Sequence, residues 1–191
     1  MSKEDIFNKS LGLIGGPNQT SYIDNAETND SHQAIWLRIV YVSSLDYCAI
    51  DLKPGIFTLF KDLDKATTDP EKLDWEYAFD KPSESIQLVR LTQQDDRSMS
   101  HDYKDMGLYY FCDYETPIAE IITSPEGSDL TTWPVGFSNM VAARMAVEVG
   151  GIWKPEILAA ATAKYDDARR EAFETQPESY REPTPIWNQN T

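Results

Sequence analysis

The chain has 191 residues, 41% hydrophobic and 12% aromatic, with a formal net charge of −15 at pH 7. That length and apolar content support one domain with a real core, or a compact domain with appendages, and predict a chain that folds and does not stay disordered. No run of about 18 apolar residues is present to cross a membrane as a helix, and 32 acidic against 17 basic residues argue against gripping a nucleic-acid backbone, which needs clustered Lys and Arg.

The opening Met1-Ser2-Lys3-Glu4-Asp5 is charged and does not read as a signal peptide. Without a secretory route, the sequons at Asn8, Asn18 and Asn29 read as chance matches. Residues 3–14 are predicted to form a first helix. Ser2 and Asp5 have capping-box spacing, and Ile6, Phe7, Leu11 and Ile14 share one face. Gly15-Gly16-Pro17 stops it, and a polar loop runs to about Asn29. A longer helix is expected over 30–48. Ala34, Leu37, Tyr41, Leu45 and Cys48 form its apolar stripe, which Ile35, Ile39 and Val42 widen. So broad a stripe implies packing on more than one side.

Pro54-Gly55 marks a turn, and strands are predicted at Ile56–Phe60, Trp75–Phe79, Ser85–Leu91, Leu108–Asp113 and Ile118–Ser124. The spans 62–74 and 93–107 read as polar loops. Short connections favour an antiparallel meander, because parallel pairing needs long crossovers. Thr132 is the expected cap of a third helix over 134–149, with Pro134 in its first turn and Gly150-Gly151 ending it. Phe137, Val141, Arg144, Met145 and Glu148 trace one side of that helix. A fourth helix is predicted over 155–173, with Leu158, Ala161, Tyr165, Ala168 and Ala172 on one face.

From Glu174 the character changes. Residues 174–191 carry three prolines and no helical or strand period, so they are expected to form an extended C-terminal arm. Tyr180, Ile186 and Trp187 are unfavourable to leave in water. The segment reads either as a tail or as an arm docking on another subunit through Tyr180, Arg181, Pro183, Pro185, Ile186 and Trp187. The expected fold class is α+β: a four-helix bundle-like core with a small antiparallel β segment, about 56–124, inserted between helices 2 and 3. Residues 1–173 make a single domain in this reading.

No catalytic, cofactor or metal site is expected. His32 has no Cys or His at metal-ligand spacing, and His101 sits beside Asp102 in a polar loop. Gly12 to Pro17 lacks the Lys-Ser/Thr of a phosphate loop. Asp62-Leu63-Asp64, Asp95-Asp96 and Asp166-Asp167 read as solvated charge, and no Ser-His-Asp or Cys-His set can be assembled. Cys48 and Cys112 are the only cysteines, each in an apolar or aromatic stretch, and are expected as buried free thiols, with a disulfide as the alternative. Arg144, Arg169 and Arg170 stand on helices of an acidic chain. They pair either within the chain, with Glu148, Asp166, Asp167 or Glu171, or across a subunit boundary.

Three stretches carry a resemblance when taken in order: Trp75-Glu76-Tyr77-Ala78-Phe79-Asp80-Lys81-Pro82, then Trp133-Pro134-Val135-Gly136-Phe137 with Val141-Ala142-Ala143-Arg144-Met145-Ala146, then Tyr165-Asp166-Asp167-Ala168-Arg169-Arg170-Glu171-Ala172. Over roughly residues 4–173 this layout resembles the bacteriophage head-to-tail adaptors, in particular the podovirus tail tubular protein A group. An aromatic-Asp-x-Pro step, a Trp/Phe-Pro-x-x-Phe helix start and a Tyr-x-x-Ala last helix mark that family. The chain departs from it at Tyr47-Cys48-Ala49-Ile50, where the family has a Trp-aromatic step. The resemblance implies a non-enzymatic virion protein. It would form a dodecameric ring below the portal protein, meet the tail nozzle or tube, and let genomic DNA pass without specific binding. The arm would clasp the portal, and the protein would stay in the host cytoplasm until assembly. Other readings are a different neck or tail-completion protein, an acidic interaction module such as a DNA mimic, and a small enzyme of unfamiliar type.

Overall fold

A computed structural model describes residues 1–15, 22–52, 57–66, 75–93 and 96–175, with the backbone alone at 96–99 and 101. The chain divides into two compact units, Met1–Ile56 with Pro125–Thr191, and Phe57–Ser124.

The first unit is helical: α1 Lys3–Gly15, α2 His32–Leu52, α3 Val135–Trp153 and α4 Leu158–Glu174. The capping box of α1 forms. The Ser2 N–H donates to Asp5 Oδ2 at 2.8 Å, and the Asp5 N–H donates to Ser2 Oγ at 3.2 Å. Ile6, Phe7, Leu11 and Ile14 are buried on one face of α1. α2 buries Ala34, Leu37, Tyr41, Leu45 and Cys48, and it runs one turn past the predicted end, burying Ala49 and Leu52 as well. The segment between them is tied down by polar contacts. Asn8 exchanges two 2.8 Å hydrogen bonds with the Ile23 backbone. Glu4 Oε1 accepts from the Ala26 N–H at 3.1 Å, and Arg38 Nη1 donates to the carbonyls of Ala26 and Glu27 at 3.0 and 2.8 Å. Each bond satisfies a main-chain group that a buried loop would otherwise leave unpaired.

The third helix does not start or stop as expected. Thr132 belongs to a short 3-10 turn, Leu130–Thr132, capped by Asp129, whose side chain accepts from the Thr131 N–H at 2.9 Å. α3 starts after Pro134 with no side-chain cap. It continues through Gly150-Gly151 to Trp153, because Gly150 serves packing and not chain reversal. A Cβ at Gly150 would meet Ile157 Cδ1 at 2.9 Å. A second 3-10 turn, Pro155–Ile157, leads into α4, which buries Ala161, Tyr165, Ala168 and Ala172 but leaves Leu158 exposed.

The second unit has two antiparallel sheets. The strands are β1 Thr58–Asp62, β2 Tyr77–Asp80, β3 Ser85–Gln93, β4 Asp96–His101, β5 Lys104–Met106, β6 Tyr109–Cys112 and β7 Pro117–Thr123. One sheet has the order β1-β7-β3-β4 and the other β2-β6-β5. Phe79, Leu88, Leu91, Tyr110, Cys112, Ala119 and Ile121 make a core of their own, with Leu63, Tyr77, Tyr103 and Tyr114 packed against it. β7 is one of the two inner strands of its sheet, and Pro117 to Ile122 are all buried. Its one charge, Glu120, is 4% exposed and is paired with Arg90 directly opposite on β3. An unpaired carboxylate there would be costly. Met106 and Tyr109 face each other across a two-residue turn whose Gly107 sits at φ +57°, where a side chain would strain the backbone.

The expected architecture, a four-helix bundle-like core carrying one small inserted β segment, is therefore corrected in two respects. In a bundle each helix gives one face to a shared centre. Here α1, α2 and α4 each pack on α3 and touch one another little, so α3 itself is the centre. Among the described residues, the β region is seven strands in two sheets with an independent core, not a small segment. The polar span 93–107, read as a loop, holds β4 and β5, each at the edge of its sheet. Edge strands bury little and are often charged, so they lack the apolar alternation that reveals a strand in sequence.

Candidate functional site

The residues that sequence reasoning assigned to a docking arm, Tyr180, Arg181, Pro183, Pro185, Ile186 and Trp187, lie outside the described residues. The other three, Arg144, Arg169 and Arg170, are described, and each has an acidic partner within the chain.

Arg144 is held in the seam between α2 and α3. Its Nε donates to Glu148 Oε1 one turn along at 2.9 Å, and its guanidinium carbon stands 3.8 Å from the centre of the Tyr47 ring. A cation over an aromatic face adds attraction to the packing of two helices. Arg169 and Tyr165 lie one turn apart on α4 and converge on Asp51 in the last turn of α2. The Tyr165 hydroxyl donates to Asp51 Oδ2 at 2.5 Å, and Arg169 Nε lies 2.8 Å from the same oxygen. Burial first, and then the hydrogen bond to the carboxylate, push the Tyr165 phenol far above its ordinary pKa. It is a fixed donor at any working pH. Burial likewise raises the neighbouring Cys48 thiol, which is free and unreactive in this setting. Arg170 Nη2 reaches Asp167 at 2.6 Å, with both side chains mostly exposed. Such a pair contributes little to stability and is readily exchanged for another partner.

Beside this seam lies a cavity of about 400 Å³ lined by Asp51, Leu52, Arg169, Arg170 and Phe173. Leu52 is buried, whereas Phe173 is 52% exposed. The site offers apolar surface, two guanidiniums and one carboxylate already engaged by two donors. Among the described residues that line it, no nucleophile stands beside a base.

The second exposed feature is the outer side of α2. The inner stripe is covered, but Ile35 is 40% and Ile39 63% exposed. The packing on more than one side expected for this helix is met in part, by α1, α3 and α4, with Phe7 against Tyr41 and Tyr47 against Tyr165.

His32 Nε2 accepts from the Trp36 indole N–H at 3.0 Å, and the His32 ring stacks on Trp153 with centroids 5.9 Å apart. His101 stands on β4 opposite Leu91, in a strand and not a loop. Among the described residues, no group of three or more His, Cys, Asp or Glu is placed to hold a metal ion. Cys112 is buried and free, and its Sγ contacts the Tyr114 carbonyl at 3.7 Å. Asp51 was missed in the sequence. The signal available was the Tyr165/Arg169 spacing, which aims two donors at one point; nothing local says which acidic residue would be there.

No protein-family model matches the chain, and no curated protein matches it at a significant level of sequence similarity.

Proposed function

We propose that this chain is a subunit of a phage head-to-tail adaptor, a homo-oligomeric ring that joins the portal protein to the tail nozzle or tube. The reading rests on the order of the Trp75–Pro82, Trp133–Phe137 and Tyr165–Ala172 motifs. The observation that carries it furthest is the outer side of α2. Large apolar side chains grouped on an exposed helix face mark a surface that a partner can cover. Ile35 and Ile39 are exposed in the single chain, and in a ring each subunit gains a neighbour on either side. A heterologous contact of this kind closes into a ring when the rotation permits.

The charge fits the same role. A channel with acidic walls does not retain DNA, so a genome can pass without specific binding. Subunits each near −15 repel one another. Rings therefore assemble on the portal and not freely, and the repulsion is strongest at low salt. The arm would add the final grip. Burying Ile186 and Trp187 supplies roughly 4–5 kcal/mol before ordering costs. A Pro-rich segment also loses less entropy on docking than a flexible one.

The test is mass photometry of the purified protein, alone and mixed with portal rings, across ionic strength. A ring mass that appears only with portal is expected. Trp187→Ala should then weaken portal binding by about 2 kcal/mol or more if this indole is a hot spot. A chain that stays monomeric with portal at every salt concentration overturns the adaptor reading.

A further inference from the structure

One face of α2 carries His32, Ile35, Trp36 and Ile39 at spacings of three and four residues. His32, Ile35 and Ile39 are exposed, and Trp36 is half-buried. The first turn of α2 meets the last turn of α3 at this corner, where His32 contacts two indoles. The Trp36 indole N–H donates to His32 Nε2 at 3.0 Å, with the two rings at 88° to each other. The same imidazole stacks on Trp153, with centroids 5.9 Å apart and planes inclined by 23°. A cavity of about 250 Å³ lined by His32, Gln33 and Trp153 opens beside the stack and gives water access to it.

These two contacts respond to a proton in opposite ways. An imidazole nitrogen accepts a hydrogen bond only while it is unprotonated, so the Trp36 contact requires the neutral ring with its proton on Nδ1. The imidazolium carries N–H groups at both nitrogens, and two donors would then face each other across the 3.0 Å contact. A cation over an indole face is attracted to it, and Trp is the best aromatic partner for that contact. Protonation therefore breaks the bond to Trp36 and strengthens the stack on Trp153. Histidine is the side chain suited to such a change near neutral pH. The charged groups at this corner are Asp30, two residues before His32, and Lys154 and Glu156, just after Trp153; all three are exposed. Among the described residues, none of them forms an ion pair with His32. The two helix ends act in opposite senses, since the start of α2 disfavours a cation and the end of α3 favours one.

We propose that His32 is a proton switch at the junction of α2 and α3: the neutral ring pins the Trp36 indole, and the imidazolium stays on Trp153 and releases that indole to the exposed side of α2. There the indole joins Ile35 and Ile39, so acidification enlarges the apolar stripe that a partner can cover. The switch belongs to the single chain. It does not rest on the ring reading, and its test contains no portal.

The test follows the indole and imidazole ¹⁵N signals of the full chain from about pH 8 to about pH 5. Trp36→Phe assigns the indole of interest, and His101→Gln separates the chain's two histidines. At the upper pH, His32 should be the tautomer protonated at Nδ1. As His32 takes up its second proton, the Trp36 indole signal should move to the free-indole position, with the same midpoint as His32, and return when the pH is raised. The Trp133 indole, bonded to Ser128 Oγ at 2.8 Å, should stay in place and report an intact fold. His32→Gln should abolish the pH dependence of the Trp36 signal, whereas His101→Gln should leave it unchanged. Finding neutral His32 protonated at Nε2 overturns the inference. So does a Trp36 signal that ignores pH, or one that moves equally in His32→Gln.

Discussion

α2 and α3 are both long helices rich in apolar residues, yet they end up in opposite situations. α3 buries residues on every side, including Phe137, Met140, Val141, Met145 and Val149. α2 buries one side and exposes Ile35 and Ile39 on the other. The difference is one of size. α3 interleaves its large residues with Gly136, Ala142, Ala143, Ala146 and Gly150, so three other helices can approach it. The backbone of α4 comes so close that a Cβ on Gly136 would stand 2.6 Å from Ala172 Cα. α2 carries β-branched residues where α3 carries small ones, and part of its hold is polar, through Arg38 and the Ala26 and Glu27 carbonyls. Small residues, more than apolar ones, mark the helix at the centre.

The largest expected effect is at the centre itself. Phe137 is fully buried and packs edge-on against Trp133 at 5.1 Å. Phe137→Ala should cost about 3–5 kcal/mol in denaturant titration. A loss under 1 kcal/mol would mean that α3 is not the centre.

The next effect tests close approach. Gly136→Ala should cost about 1–3 kcal/mol, because the clashing atoms belong to the Ala172 backbone and cannot swing aside. Gly12→Ala is the control. It lies within α1 with nothing within 4 Å of the added Cβ, so it should stabilise by about 0.5–1 kcal/mol. Equal effects at the two glycines would remove size from the explanation.

A smaller effect reports the polar hold. Hydrogen bonds from the backbone N–H groups of Glu4 itself and of Ala26, followed by Ser2, keep the Glu4 carboxyl below its usual pKa. A carboxyl lowered in the folded state adds stability above its unfolded pKa, and that contribution is lost as pH falls through the folded value. The stability gap between the parent and Glu4→Gln should therefore be full at pH 6–7 and should close as the pH is lowered through the carboxylate range. A gap independent of pH would show that the charge has no part in it.

The smallest effect is expected on the outer side of α2. Ile39→Ser should change the stability of the isolated subunit by less than about 0.5 kcal/mol, while weakening the subunit contact of the proposed ring. A loss above 1 kcal/mol in the isolated subunit would mean that this side is already covered, and the contrast with α3 would fail.

The amino-acid sequence by itself determined what depends on near neighbours. The Ser2/Asp5 box, the 3.6-residue stripes of α1 and α4, and the aromatic and apolar strands β6 and β7 are each written within a few residues, and each formed near its expected place. The tertiary structure alone decided what depends on distant partners. It selected α3 over α2 as the centre, since both look buried until the neighbours are placed. It turned the polar span 93–107 into β4 and β5, which pair with β3 and β6. It brought Asp51 to Tyr165 and Arg169 across more than a hundred residues of sequence, the Tyr165–Asp51 separation being 114. Local periodicity reports which face of an element is apolar; only packing decides which apolar faces are covered, and by what.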